Sequence, residues 1–98
     1  MKGLEHVIAM LRNYFVGQPI LKAWLFGSVS RGEDTPESDI DILVTFDPKA
    51  KVGLFKHAGM IDELETLLNR QVDLVPSDAL YPSIRSSVEK DKILIYER

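Results

Sequence analysis

The sequence predicts a two-layer α/β domain, and three observations carry that reading. Some segments place apolar residues at the spacing of one helix face, whereas others are short apolar runs of strand length. The two kinds alternate along the chain, which is the pattern of helices packed on a sheet. Glycine or proline punctuates most of the boundaries between them.

Each element follows in order. Leu4, Val7, Ile8, Leu11 and Phe15 mark one face of a first helix, which gives way at Gly17-Gln18-Pro19. Residues 20–26 (ILKAWLF) read as a buried strand stopped by Gly27. Residues 29–31 suit one short helical turn, followed by a polar loop through Pro36. Residues 40–46 (IDILVTF) form a second strand, ended by Asp47-Pro48. The longest helix covers 54–69, with Leu54, Ala58, Ile61, Leu64 and Leu68 expected on its inner face. A third strand at 72–75 stops at Pro76. Pro82 suits the first turn of a last helix, and residues 93–96 (ILIY) close the chain as a strand.

Ninety-eight residues is near the usual size of one domain, about 100–150 residues, so 1–98 is read as a single domain. Hydrophobic residues at 45% and charged residues at 28% are ordinary globular usage. Such a chain should bury roughly 60–70% of its unfolded surface, enough for a core but not for a large enclosed cavity. A substrate must then sit in a surface cleft, or a partner must help to form the site.

A net charge of −3 gives no basic footprint for nucleic acid. The absence of cysteine excludes disulfides and thiolate metal sites. No apolar run is long enough for a membrane span, and the amphipathic start does not resemble a signal peptide. A cytoplasmic protein is expected. The charge is unevenly spread: between Gly32 and Pro48 lie six acids, Glu33, Asp34, Glu37, Asp39, Asp41 and Asp47, and no lysine or arginine. A solvated acidic loop would account for that on charge alone.

The spacing within that segment says more. Asp39 and Asp41 flank Ile40, so on a strand both carboxylates project from one face while Ile40, Ile42 and Val44 face the core. Two adjacent anions call for a cation between them, and hard oxygen donors suit Mg²⁺. Upstream, the first strand ends in Gly27-Ser28, where a turn's N–H groups and a hydroxyl can hold phosphate oxygens. Competing motifs fail. Gly27 and Gly32 have the outer spacing of a P-loop, but Glu33-Asp34 follow in place of lysine and serine or threonine. There is no Gly-x-Gly-x-x-Gly for a dinucleotide, and Ile42 and Leu43 stand where an EF-hand needs ligands and glycine. His6 and His57 have no partners at ligand spacing and read as surface or packing residues. Trp24 reads as core.

Gly27-Ser28, ten residues, then Asp39-Ile40-Asp41 resembles the signature of the polymerase-β-like nucleotidyltransferases. The runs 26–32 (FGSVSRG) and 38–44 (SDIDILV) look closest to its minimal (MNT) branch. The resemblance implies a small mixed sheet flanked by helices, with the site at one sheet edge. It implies a third carboxylate on a neighbouring strand, a place that Asp73 fits between Val72 and Leu74. By the same resemblance, Asp39, Asp41 and Asp73 would bind two Mg²⁺ ions and serve catalysis. Gly27 and Ser28 would hold the nucleotide's phosphates, and Arg31 would either neutralise a phosphate or pair with the acidic loop. The implied reaction moves AMP from ATP to a hydroxyl, in the MNT branch a tyrosine of a HEPN-type ribonuclease toxin, which would make this chain an antitoxin. The resemblance does not extend to the helical domain that larger relatives use to hold nucleic acid or antibiotic acceptors, so an independent polymerase or drug-modifying role is not expected. The alternatives are a toxin-masking protein without chemistry and a nucleotidyltransferase of small molecules.

Overall fold

The computed structural model describes residues 2–32, 35 and 38–98. Glu33, Asp34 and Glu37, and much of the polar loop expected through Pro36, lie outside the described residues. The chain runs α1 (Lys2–Phe15), β1 (Ile20–Phe26), β2 (Ile40–Phe46), α2 (Leu54–Leu68), β3 (Val72–Pro76), a single 3₁₀ turn (Ser77–Ala79), α3 (Pro82–Asp91) and β4 (Ile93–Glu97). Both long strands begin and end where their apolar runs do.

One sheet holds all four strands in the order β3-β2-β1-β4. β1 pairs antiparallel with β2 and with β4, while β2 and β3 run parallel. A parallel pair needs a crossover rather than a hairpin, and α2 supplies it.

The main core lies between the sheet and the pair α1 and α2. Leu11 and Phe15 of α1 and Met60 and Leu64 of α2 pack with Ile20, Ala23 and Leu25 of β1 and Ile40, Ile42 and Val44 of β2. Burial of side chains this size contributes about 1.5–3 kcal/mol each, so these alternating positions fix which face of each strand looks inward. Leu4, Val7 and Ile8 pack on the core half-buried, as their helical spacing predicts. α1 ends at Gly17, whose φ of +88° is costly for any residue with a side chain.

Two expectations change. Leu54 is 80% exposed and Ala58 is exposed, so neither belongs to the inner face of α2. The sheet first meets this helix one turn later, at His57, whose Nε2 lies 2.8 Å from the Leu74 carbonyl oxygen; Met60, Ile61, Leu64 and Leu68 continue that face. Trp24 is only partly buried. It belongs to a smaller cluster on the opposite face of the sheet, where Leu43, Leu80 and Val88 are buried and Phe26 and Val75 pack beside them. The Lys92 ammonium sits 4.8 Å above its ring, a cation–π contact. α3 and the 3₁₀ turn cover part of this second face. Among the described residues, no helix is long and apolar enough to cross a membrane.

Candidate active site

The second face of the sheet carries the acids because strand alternation leaves them there. In β2, Ile40, Ile42 and Val44 are buried in the main core, so Asp41 points the other way. In β3, Val72 and Leu74 take the inner positions, and exposed Asp73 shares the face of Asp41. The parallel register makes Asp41 and Asp73 direct Cα partners across the β2–β3 pair. Thirty-one residues of chain separate the two acids in sequence, and the crossover through α2 brings them together.

On its other side Asp41 meets the end of β1. Phe26 is its antiparallel partner, and Gly27 follows with φ +74°. A Cβ built on Gly27 would overlap Asp41 Oδ2 and lie 3.2 Å from Cγ. Glycine is therefore favoured there twice: its left-handed backbone is costly for a residue with a side chain, and a Cβ would force the Asp41 carboxylate to shift. After Gly27 the chain winds tightly: Ser30 N–H donates to the Gly27 carbonyl at 3.1 Å, Arg31 N–H to Ser28 at 3.2 Å and Gly32 N–H to Val29 at 3.2 Å. The expected helical turn is present. Buried Val29 anchors it in the core, and Ser30 Oγ donates to the Gly27 carbonyl at 2.8 Å. Half-buried Ser28 is thus held at the mouth of the site on a fixed turn.

Asp39 precedes β2 and is exposed. Arg31 extends from the turn and donates through Nη1 to Asp91 Oδ2 at 2.8 Å, at the C-terminal end of α3. Asp91 is a partner beyond the two expected for Arg31, a phosphate and the acidic loop. His57 is occupied in packing against Phe46, with ring centroids 5.7 Å apart, and His6 is exposed.

The electrostatics centre on Asp41. Partial burial, then the nearby charges of Asp73 and Asp39, push its carboxyl up from 3.8 to about 6, with Arg31 acting in the opposite direction. A folded-state pKa above the unfolded one means that Asp41's contribution to stability is complete below about pH 4 and is lost as pH rises through about 6. Metal-free Asp41→Asn should therefore melt close to wild type at pH 4 and above it at pH 7. Calorimetric melting in EDTA across that range checks this, and a gap that stays constant with pH would contradict it.

A hard divalent cation suits this donor set, because it would relieve the repulsion among Asp41, Asp73 and Asp39 that adds to the effect of burial. Among the described residues, however, no three His, Cys, Asp or Glu side chains are gathered closely enough to enclose an ion. Asp39 does not close onto Asp41 and Asp73 as a ready-made triad. Mg²⁺ commonly takes only one or two protein carboxylates and completes its shell with water and substrate phosphates, so an open pair beside the turn that follows β1 fits it.

Comparisons with known proteins give the family and the fold. The sequence profile described as "Nucleotidyltransferase domain" matches residues 8–95. A protein of Methanocaldococcus jannaschii, named provisionally as a protein adenylyltransferase, is 40% identical over 103 residues, covering 97% of this chain and 100% of its own. A crystal structure of a toxin–antitoxin with AMP-PNP superposes with a TM-score of 0.79 at 20% identity, over 93% of this chain and 73% of that one. A tri-AMPylated HEPN toxin of Shewanella oneidensis in complex with MNT antitoxin gives a TM-score of 0.65 at 21% identity, over 98% and 71%. These two structural likenesses establish the shared fold. With the profile spanning nearly all of its elements and a relative aligned from end to end, the chain belongs to the nucleotidyltransferase domain family.

Proposed function

We propose that this nucleotidyltransferase moves AMP from ATP, with Mg²⁺, to a tyrosine hydroxyl of a HEPN-type toxin and so acts as its antitoxin. The observation that carries the reading is the Asp41–Asp73 pair set across two parallel strands and closed against Gly27. The protein acceptor is supported by the name of the M. jannaschii relative, and the toxin by the Shewanella oneidensis complex that shares the fold.

The residues divide the work by position. Asp41 and Asp73, with Asp39 beside them, would hold Mg²⁺, which supplies positive charge against the triphosphate and lowers the pKa of a bound hydroxyl. The start of the turn would receive phosphate oxygens at the Ser28 hydroxyl and at N–H groups ahead of Ser30, since those of Ser30, Arg31 and Gly32 are given to the turn's own carbonyls. Arg31 faces the same mouth, its guanidinium oriented by Asp91. The acceptor oxygen forms a bond to the α-phosphorus, the α–β bridge breaks, and pyrophosphate leaves with the electron pair. The acceptor's proton passes to solvent by way of exposed Asp73. Such transfer depends mainly on positioning and charge stabilisation.

A masking role without chemistry would need a docking face, and one feature favours that second reading. Leu54 and Phe55, 80% and 92% exposed, lie on a stretch, 48–56, that carries Lys49, Lys51 and Lys56 and no acid. Incubation of the chain with labelled ATP, Mg²⁺ and a co-encoded helical toxin separates the two. Label and an added AMP mass on a toxin tyrosine, with loss of ribonuclease activity, are expected. Full neutralisation of an unmodified toxin would leave the masking reading standing.

A further inference from the structure

Arg70 lies in the turn between α2 and β3, three residues before Asp73, and reaches the segment that leads into β2. Its Nη2 donates to the Ser38 carbonyl at 2.7 Å and to the Thr35 carbonyl at 3.0 Å, and its Nε donates to Ser38 at 3.2 Å. Ser38 is the residue immediately before Asp39. Alongside, Ile40 N–H donates to the Gln71 carbonyl at 2.9 Å, and Thr35 N–H donates to Ser38 Oγ at 2.9 Å. On the far side of the turn, Val72 N–H donates to Glu65 Oε2 at 2.9 Å, which ties the start of β3 back to α2.

The two strand starts that present carboxylates are therefore joined by a guanidinium fork as well as by the ladder. The need for it is electrostatic. Asp39, Asp41 and Asp73 repel one another in the absence of a cation, and Asp39, lying just outside β2, has no flanking ladder of its own to resist that push. A planar fork with several fixed donors sets an angle as well as a distance, which a lysine ammonium cannot.

We propose that Arg70 is a positioning residue for the cation site: by fixing the Ser38 carbonyl to the turn before β3, it sets where Asp39 stands relative to Asp73. This rests on the Mg²⁺-dependent reading given above. The test is calorimetric ATP binding by the chain alone, titrated with Mg²⁺ and repeated in EDTA. It compares wild type, Arg70→Met, Arg70→Lys, Asp39→Asn and the Arg70→Met/Asp39→Asn double variant, with circular dichroism reporting the fold.

Partners of metal ligands typically govern about 10–100-fold in metal affinity. Arg70→Met should raise the Mg²⁺ concentration for half-saturation at least about 10-fold, at the lower end of that range, and leave binding in EDTA unchanged. Arg70→Lys should fall between it and wild type, and it carries the comparison if the methionine variant fails to fold. In the Asp39→Asn background, Arg70→Met should add less than about 2-fold, because residues acting through one another are not additive. A wild-type Mg²⁺ midpoint in the folded Arg70 variants overturns the proposal. So does an undiminished penalty without Asp39, or equal weakening with Mg²⁺ and with EDTA, the mark of a merely structural arginine. ATP binding by wild type that ignores Mg²⁺ would instead remove the cation reading itself, and this inference with it.

Discussion

Asp41→Asn is expected to reduce AMP transfer by about 10³-fold or more while the protein remains folded. Asp41 is the central acid of the site: Asp73 is its Cα partner on one side, and Gly27 is packed against its carboxylate on the other. Asparagine keeps the size and removes the charge, so the loss falls on cation binding rather than on packing. A metal ion stabilises developing charge by several kcal/mol, and each 1.36 kcal/mol is a factor of ten in rate, which gives the magnitude. Single-turnover transfer to the partner toxin, followed by mass spectrometry, reads the effect. Transfer within about tenfold of wild type, well short of the several kcal/mol at stake, would show that Asp41 is not a cation ligand in the reaction.

Gly27→Ala should lose both stability and transfer, and Gly17→Ala separates the two causes. Both glycines have positive φ, +74° and +88°, so alanine costs about 1–2 kcal/mol of backbone strain at either position. A domain of this size loses about 4–8 °C of melting temperature per kcal/mol, and both variants should melt lower by amounts of that order. Only at position 27 does the new methyl strike Asp41; around Gly17 a Cβ meets nothing within 4 Å. Transfer should therefore fall at least about 100-fold in Gly27→Ala, since displacing a charged reacting group by about 1 Å is enough for such a loss. It should be unchanged in Gly17→Ala at a temperature where both are folded. Equal activity in the two variants would mean that the approach of Gly27 to Asp41 has no part in the chemistry.

The sequence disclosed most where one residue type carries one local rule. β1 and β2 were legible to the residue because their apolar runs stop at Gly27 and at Asp47-Pro48. The outward projection of Asp41 and Asp73 followed from alternation alone. What sequence could not carry was anything decided by long-range register. Nothing local says that β3 lies parallel to β2 with Asp73 opposite Asp41, nor that Gly27 must clear a carboxylate fourteen positions away. The same limit explains α2. The sets 54-58-61-64-68 and 57-60-61-64-68 both fit a helix face, and only the position of the sheet against its second turn selects the latter. Arg70 was missed for a related reason. Its described hydrogen bonds end on main-chain carbonyls, which no pattern of side chains announces.

The place of β3 in the sheet has a consequence for how the protein fails. It is a five-residue edge strand with a single neighbour, β2, joined to it by non-local parallel pairing. Edges of this kind open sub-globally, at a free energy below that of complete unfolding. When β3 detaches, Asp73 leaves Asp41, while β2, β1 and β4 can remain paired. Warming or mild denaturant would therefore silence the chemistry while most of the sheet still resists amide exchange. A ligand bridging the two acids would fasten this edge strand to its neighbour, so the operational lifetime of the active form depends on that fastening as well as on the core beneath it.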